Sequence, residues 1–203
     1  MLKVIGVKRY SLDMPYVSKT DRQTILSAAL QQTESDGIRN LSLRALAASL
    51  GITPNALYRY FPDRAALELA VAAEGRRQMY SSLQQAAGKK NPERAIRSMA
   101  AAYIEFAREH PHLYDVMIAC SRILDEDPEA RSNDCWAFVV DRVSLVSANS
   151  RAAEAAVALW ALLHGTATLV AAHVFGKEKP IHGVKFGLDA WFAAATQSKS
   201  SQK

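Results

Sequence analysis

Apolar positions recur along the 203-residue chain at three- and four-residue intervals, the repeat that lines one face of a helix. Between Asn91 and His110, Ile96, Met99, Ala100, Tyr103 and Ala107 share a face, while Arg94, Arg97, Ser98, Glu105 and Arg108 lie elsewhere around the turn. No segment combines apolar–polar alternation with β-branched enrichment and hairpin signals, so a sheet is not expected. Asn91-Pro92-Glu93 sets in a row a capping side chain, a proline at the first helical position and an acid at the positive end of the helix dipole. Asp127-Pro128-Glu129 repeats the device, Thr53-Pro54 opens another helix, and Pro62, Pro111 and Pro180 each follow a helical run. The pattern predicts an all-α chain of about nine helices, near 19–36, 42–50, 54–61, 63–87, 92–110, 112–123, 128–148, 151–176 and 180–196. The last seven residues, 197–203, read as a frayed tail.

One stretch departs from the amphipathic rule. From Ala155 to Phe175 there is no Asp, Glu, Lys or Arg, a length that spans a bilayer if helical. Seven of these residues are Ala, and His164, Gly165, Thr166, Thr168 and His173 interrupt the run, which disfavours insertion compared with a Leu-rich span. The better reading is a helix covered by protein on all sides, in a core or a subunit interface, with no membrane partner.

Charge divides the chain. Up to Ala65 there are nine Lys/Arg against five Asp/Glu, whereas residues 66–203 hold sixteen against fifteen. A basic first third on a near-neutral body points to a polyanion partner for that third. With 49% apolar and 22% charged residues the composition is globular, and disorder and collagen-like readings drop out. Two cysteines, Cys120 and Cys135, and charges within the first nine residues suggest a reducing, cytoplasmic compartment. The five histidines show no metal-ligand spacing, and neither a Gly-rich phosphate loop nor a nucleophile elbow is present, so no metal, cofactor or catalytic residue is expected.

Within the basic third, Ser42 caps a helix with Leu43, Leu46, Ala47 and Leu50 on one face; Gly51 supplies a left-handed stop, Ile52 returns to the core, and Thr53 caps the next helix at once. So short a turn implies helix-turn-helix geometry, with the second helix able to enter a major groove. There Leu57 and Phe61 would anchor, while Thr53, Asn55, Ala56, Tyr58 and Tyr60 would offer hydroxyl, amide and methyl groups. The alternative is an αα-hairpin that only packs, in a helical ligand carrier or enzyme.

The stretch Ile25-Leu26, Ala28-Ala29, Gly37, Leu41-Ser42-Leu43-Arg44, Leu46-Ala47, Leu50-Gly51-Ile52-Thr53, Ala56-Leu57-Tyr58-Arg59-Tyr60-Phe61, Arg64 and Leu67 resembles the N-terminal domain of the TetR family of transcriptional regulators. The resemblance implies a phosphate contact from Ser42, a recognition helix over residues 53–60 with Tyr58 as its typical tyrosine, and Arg64 where a phosphate-reaching Lys is usual. Tyr60 stands where His is also frequent, and Asn55 where small residues are frequent; Asn55, able to bond adenine twice, is the leading base reader. The expected DNA-facing set is Lys19, Ser42, Arg44, Thr53, Pro54, Asn55, Ala56, Tyr58, Tyr60 and Arg64. Residues 1–17 read as a tail, or as residues upstream of a true start at Met14; the other reading makes Lys3, Lys8 and Arg9 a minor-groove arm. Residues 18–65 read as the DNA-binding domain and 66–196 as an effector-binding and dimerisation domain.

Beyond the first domain, Trp160, His164 and Gly165, after His110-Pro111-His112-Leu113-Tyr114, are similar to a TetR C-terminal subfamily with a Trp…His-Gly signature. Gly165 inside a helix costs ~1 kcal/mol against Ala, which suggests a close neighbouring helix. The resemblance implies a homodimer through the last two helices, with Gly165, Leu169, His173, Val184, Leu188 and Trp191 at the interface. The second of these helices shows Ile181, Val184, Leu188 and Trp191 as one stripe. The resemblance also implies a small-molecule effector, largely apolar, in a pocket walled by Tyr103, Phe106, Met117, Cys120, Trp136 and Trp160 with His164 as polar contact. The alternative is that these side chains fill a dry core. The expected protein is a repressor that leaves a palindromic double-stranded DNA operator when the effector binds.

Overall fold

Five helices begin alike, with a short side-chain oxygen accepting the backbone N–H three residues on and so satisfying a donor that a helix start leaves open. Asp21 accepts from Thr24 at 2.7 Å, Ser42 from Ala45 at 3.3 Å, Thr53 from Ala56 at 3.2 Å, Asp63 from Ala66 at 2.7 Å and Asn91 from Arg94 at 2.9 Å. In the computed structural model, which describes residues 20–120, 135–175 and 181–200, they open α1 (Arg22–Asp36), α2 (Leu43–Ser49), α3 (Pro54–Tyr58), α4 (Arg64–Ala87) and α5 (Pro92–Glu109). Then come α6 (Pro111–Ala119), α7 (Cys135–Ser144), α8 (Ala152–Ala171) and α9 (Ile181–Ser200), with 3-10 turns at Ile38–Asn40 and Asn149–Arg151. Among the described residues there are helices and no strands, as the periodicity predicts.

The boundaries differ in instructive places. Pro111 does not merely end the preceding helix; it occupies the first turn of α6, where its missing N–H costs nothing. α3 stops at Tyr58, and Tyr60 and Phe61 bond back to the Leu57 carbonyl. α8 ends at Ala171, the chain turning through His173 at φ +54°, and α9 continues to Ser200, past the expected tail boundary at 196. Residues 1–19 with Lys3, Lys8, Arg9 and Lys19, the segment 121–134 with Asp127-Pro128-Glu129, residues 176–180 and 201–203 lie outside the described residues.

α1, α2 and α3 close around Ile25, Ala29, Leu46, Leu57 and Phe61, each nearly inaccessible to solvent. α4 joins this unit to the body: Leu67 and Val71 extend the same core, and Met79 and Leu83 continue it between α4 and α5. Gly75 lets α6 lie against α4, since a Cβ there would stand 2.7 Å from Met117 Sδ and 2.8 Å from Leu113 Cδ1. α8 packs on α5 and α7 with one face, and α9 packs on α8, where Gly187 admits Leu162.

Candidate functional site

The turn between α2 and α3 is closed by Gly51 N–H to Ala48 O at 3.1 Å and Ile52 N–H to Ala47 O at 3.0 Å. Gly51 takes φ +64° with open space around it, so the position needs glycine for its backbone conformation rather than for room, as expected from the sequence. Leu57 and Phe61 lie at 0% and 1% exposure beneath α3. Burying each side chain stabilises by about 1.5–3 kcal/mol, ample to seat a helix this short on α2. The opposite face is bare: Thr53, Pro54, Asn55 and Tyr58 are exposed, Ala56 is half-buried, and Ser42 and Arg44 stand exposed on neighbouring α2. An amide, a phenol and a hydroxyl are thus accessible on α3 and a guanidinium on α2, the groups that read base edges and bind phosphates.

Besides Ser42 and Thr53, which cap their helices, two expected DNA residues are tied to other segments of the protein. Tyr60, half-buried, donates its hydroxyl to the Thr20 carbonyl at 3.0 Å and ties the start of α1 to the end of α3. Arg64 donates to Glu68 at 2.6 Å and to the carbonyls of Ile38 and Arg39 at 2.8 and 3.1 Å, clamping the α1–α2 connection onto α4. The Arg64–Glu68 pair is a local four-residue spacing, but the bonds to Thr20, Ile38 and Arg39 are not legible in sequence, because the partners are distant main-chain atoms. Lys19 falls outside the described residues.

In the body, Tyr103, Trp160 and Trp136 form a chain of edge contacts, with ring centroids 5.2 and 6.2 Å apart. A polar chain runs beside it: the Tyr114 hydroxyl is hydrogen-bonded with His164 Nδ1 at 2.6 Å and lies 3.2 Å from the Tyr103 hydroxyl. Burial pushes both phenols up from their usual range, so both hydroxyls keep their protons. Tyr114, which stands outside the pocket set expected from the sequence, is therefore central; its partners sit on two other helices, and no local spacing announces them. Trp136 is 42% exposed and forms the open end of the cluster.

The remaining expected pocket residues do not join it. Phe106 turns to the outer side, stacking on His110 with centroids 4.8 Å apart and flooring an open groove of about 500 Å3 between α4 and α5. Met117 is committed to the α4–α6 contact at Gly75. Cys120 is half-buried at the end of α6; burial first, and the Glu68 carboxylate second, push its thiol up.

The expected interface residues divide in the same way. Leu188 and Trp191 are buried within the protomer at 5% and 8% exposure, and Trp191 Nε1 donates to the Ala155 carbonyl at 2.8 Å. Val184 also packs on this core, so these three residues of α9 face the protomer's own core rather than outward. Gly165, Leu169 and His173 are exposed, and among the described residues outside its own helical turn no atom lies within 4 Å of a Cβ at Gly165. The close neighbour expected there is not found among the described residues. Val157, Ala161, Gly165 and Leu169, at four-residue steps, make an uncovered apolar row on α8, and Phe186, 78% exposed, stands out from α9. α8 is long and apolar enough to cross a membrane by length and composition. Among the described residues no group of three His, Cys, Asp or Glu is arranged to hold a metal.

Residues 25–71 match the family model for bacterial regulatory proteins of the tetR family, and residues 96–184 match that for the tetracyclin repressor-like C-terminal domain. The uncharacterized HTH-type transcriptional regulator YobS of Bacillus subtilis (strain 168) is 27% identical over 172 residues, covering 82% of this chain and 87% of its own. Nucleoid occlusion factor SlmA of Glaesserella parasuis serovar 5 is 22% identical over 118 residues, 57% of this chain and 59% of its own. Among solved structures, a Rhodococcus sp. RHA1 protein of unknown function has a TM-score of 0.77 at 24% identity, covering 91% of this chain and all of that one. A TetR variant from Acinetobacter baumannii AYE in complex with minocycline has a TM-score of 0.65 at 18% identity, covering 86% and 96%.

Proposed function

The chain belongs to the TetR family of DNA-binding transcriptional regulators, and on that premise we propose that it is a homodimeric repressor of a palindromic operator, released by a small effector. The observation that carries the DNA assignment is the bare face of α3. Thr53, Pro54, Asn55 and Tyr58 are exposed while the underside of the same helix is sealed by Leu57 and Phe61. Asn55 reads a base, Tyr58 and Ser42 hold the backbone, and Arg44 adds charge beside them. Tyr60 and Arg64 act by bracing this unit, through Thr20 and through Ile38 and Arg39.

The dimer reading places the Val157-to-Leu169 row of α8 and Phe186 of α9 against their two-fold copies. A partner helix would then supply the neighbour that Gly165 lacks, and protein rather than lipid would cover α8. The effector reading is supported by the Tyr103–Tyr114–His164 chain beside Trp160 and the exposed edge at Trp136. It favours a largely apolar molecule with one or two hydrogen-bonding groups.

Selection of bound duplexes from a random pool tests the assignment. A palindrome is expected, with Asn55→Ala costing ~1–3 kcal/mol on the selected site alone and Tyr58→Ala weakening binding to every sequence. Recovery of no preferred sequence, together with unchanged affinity for Tyr58→Ala, would sink it.

A further inference from the structure

Two histidines flank the proline that opens α6, and both reach back to α1. His110 Nδ1–H donates to Glu34 Oε1 at 2.8 Å, across 76 residues of sequence. His112 covers Gly37, where a Cβ would stand 2.9 Å from its Nδ1; Gly37 takes φ +78°, a conformation that strains any residue with a side chain. His110 holds the N-cap position of α6 without capping it through its side chain. Its ring instead leans on Phe106 and turns to Glu34.

We infer that this His110-Pro111-His112 junction is a second strut between the DNA-binding unit and the body, with His110 and Glu34 as positioning residues for DNA recognition. The inference rests on the DNA-binding reading above. α4 runs from one unit into the other as a single continuous helix, and a joint carried on one helix resists rotation about its axis less than a joint braced at a second point. α6 is fixed to α4 at Gly75 by Met117 and Leu113, and its first turn meets the end of α1 at Glu34 and Gly37. A contact at that distance from the α4 axis sets the remaining angle. Neither His110 nor Glu34 belongs to α2 or α3, so their influence on DNA passes through orientation alone. In a two-fold dimer that orientation fixes the distance between recognition helices, and hence the spacing of half-sites the protein accepts.

The test uses the full chain with spin labels on cysteines introduced at the exposed positions Gln31 of α1 and Arg94 of α5, the native cysteines replaced by Ala, and labelled protein diluted into unlabelled. His110→Ala is expected to broaden the Gln31–Arg94 distance distribution. On DNA it should weaken binding at the preferred spacing by about 3- to 10-fold, flatten the preference among duplexes with half-sites moved a base pair either way, and leave random-duplex affinity unchanged. His110→Asn, whose Nδ2 stands where the imidazole Nδ1 does, should restore both readouts. An unchanged distance distribution in His110→Ala overturns the strut whatever DNA does, and so does an equal loss on every spacing and on random duplex. A broadened distribution in a protein whose wild-type form selects no operator supports the strut and overturns the DNA reading instead.

Discussion

Gly75 and Gly165 look alike in sequence, each a lone glycine inside a helix, yet their surroundings are opposite. At Gly75 a methyl group would meet buried Met117 and Leu113 within 2.8 Å, whereas at Gly165 it would meet nothing among the described residues. The sequence marks Gly165 as the site of close approach and passes over Gly75, because the direction a helical residue faces depends on tertiary placement. Gly75→Ala should therefore reverse the usual helix-propensity gain and destabilise by ~1–3 kcal/mol through overpacking, read by urea unfolding. An unchanged or raised midpoint would show that α6 can retreat from α4 at no cost. Single residues with local grammar were legible: Ser42, Thr53 and Asn91 as caps and Gly51 as a left-handed stop. Tyr60, Tyr114 and the Arg64 bonds to Ile38 and Arg39 were not, since these join distant segments.

Helices were legible wherever one face is apolar and the ends carry caps, as in α5, which runs from the Asn91-Pro92 signal to Glu109. α8 and α9 were harder. Apolar around most of its circumference, α8 carries no polar face to orient it, and the stripe on α9 can equally be read as facing in or out. Buried Leu188 and the Trp191 bond to Ala155 resolve it inward. α3 raises the opposite question, whether five residues can hold a helix at all. Its start depends on the Thr53 hydroxyl and on Pro54, so Thr53→Ala should cost ~0.5–2 kcal/mol. The loss should appear as faster amide exchange across α2 and α3 while the α5 and α8 amides keep their protection. Uniform acceleration throughout the chain would count against a locally capped unit.

For the whole molecule, the uncovered row on α8 and Phe186 on α9 make association the central expectation. Val157→Glu combined with Phe186→Glu should leave the protomer folded, because both side chains are exposed in it, and should shift the sedimenting species from dimer to monomer at micromolar concentration. A wild-type chain already monomeric under those conditions would remove the dimer reading. If the row does join two copies, every recognition helix works in partnership with one from another polypeptide. A cell that makes both the normal chain and a form altered only at Tyr58 would then assemble mostly mixed or doubly altered pairs. The altered allele would behave as dominant, disabling its normal counterpart through a surface on α8 that never touches DNA.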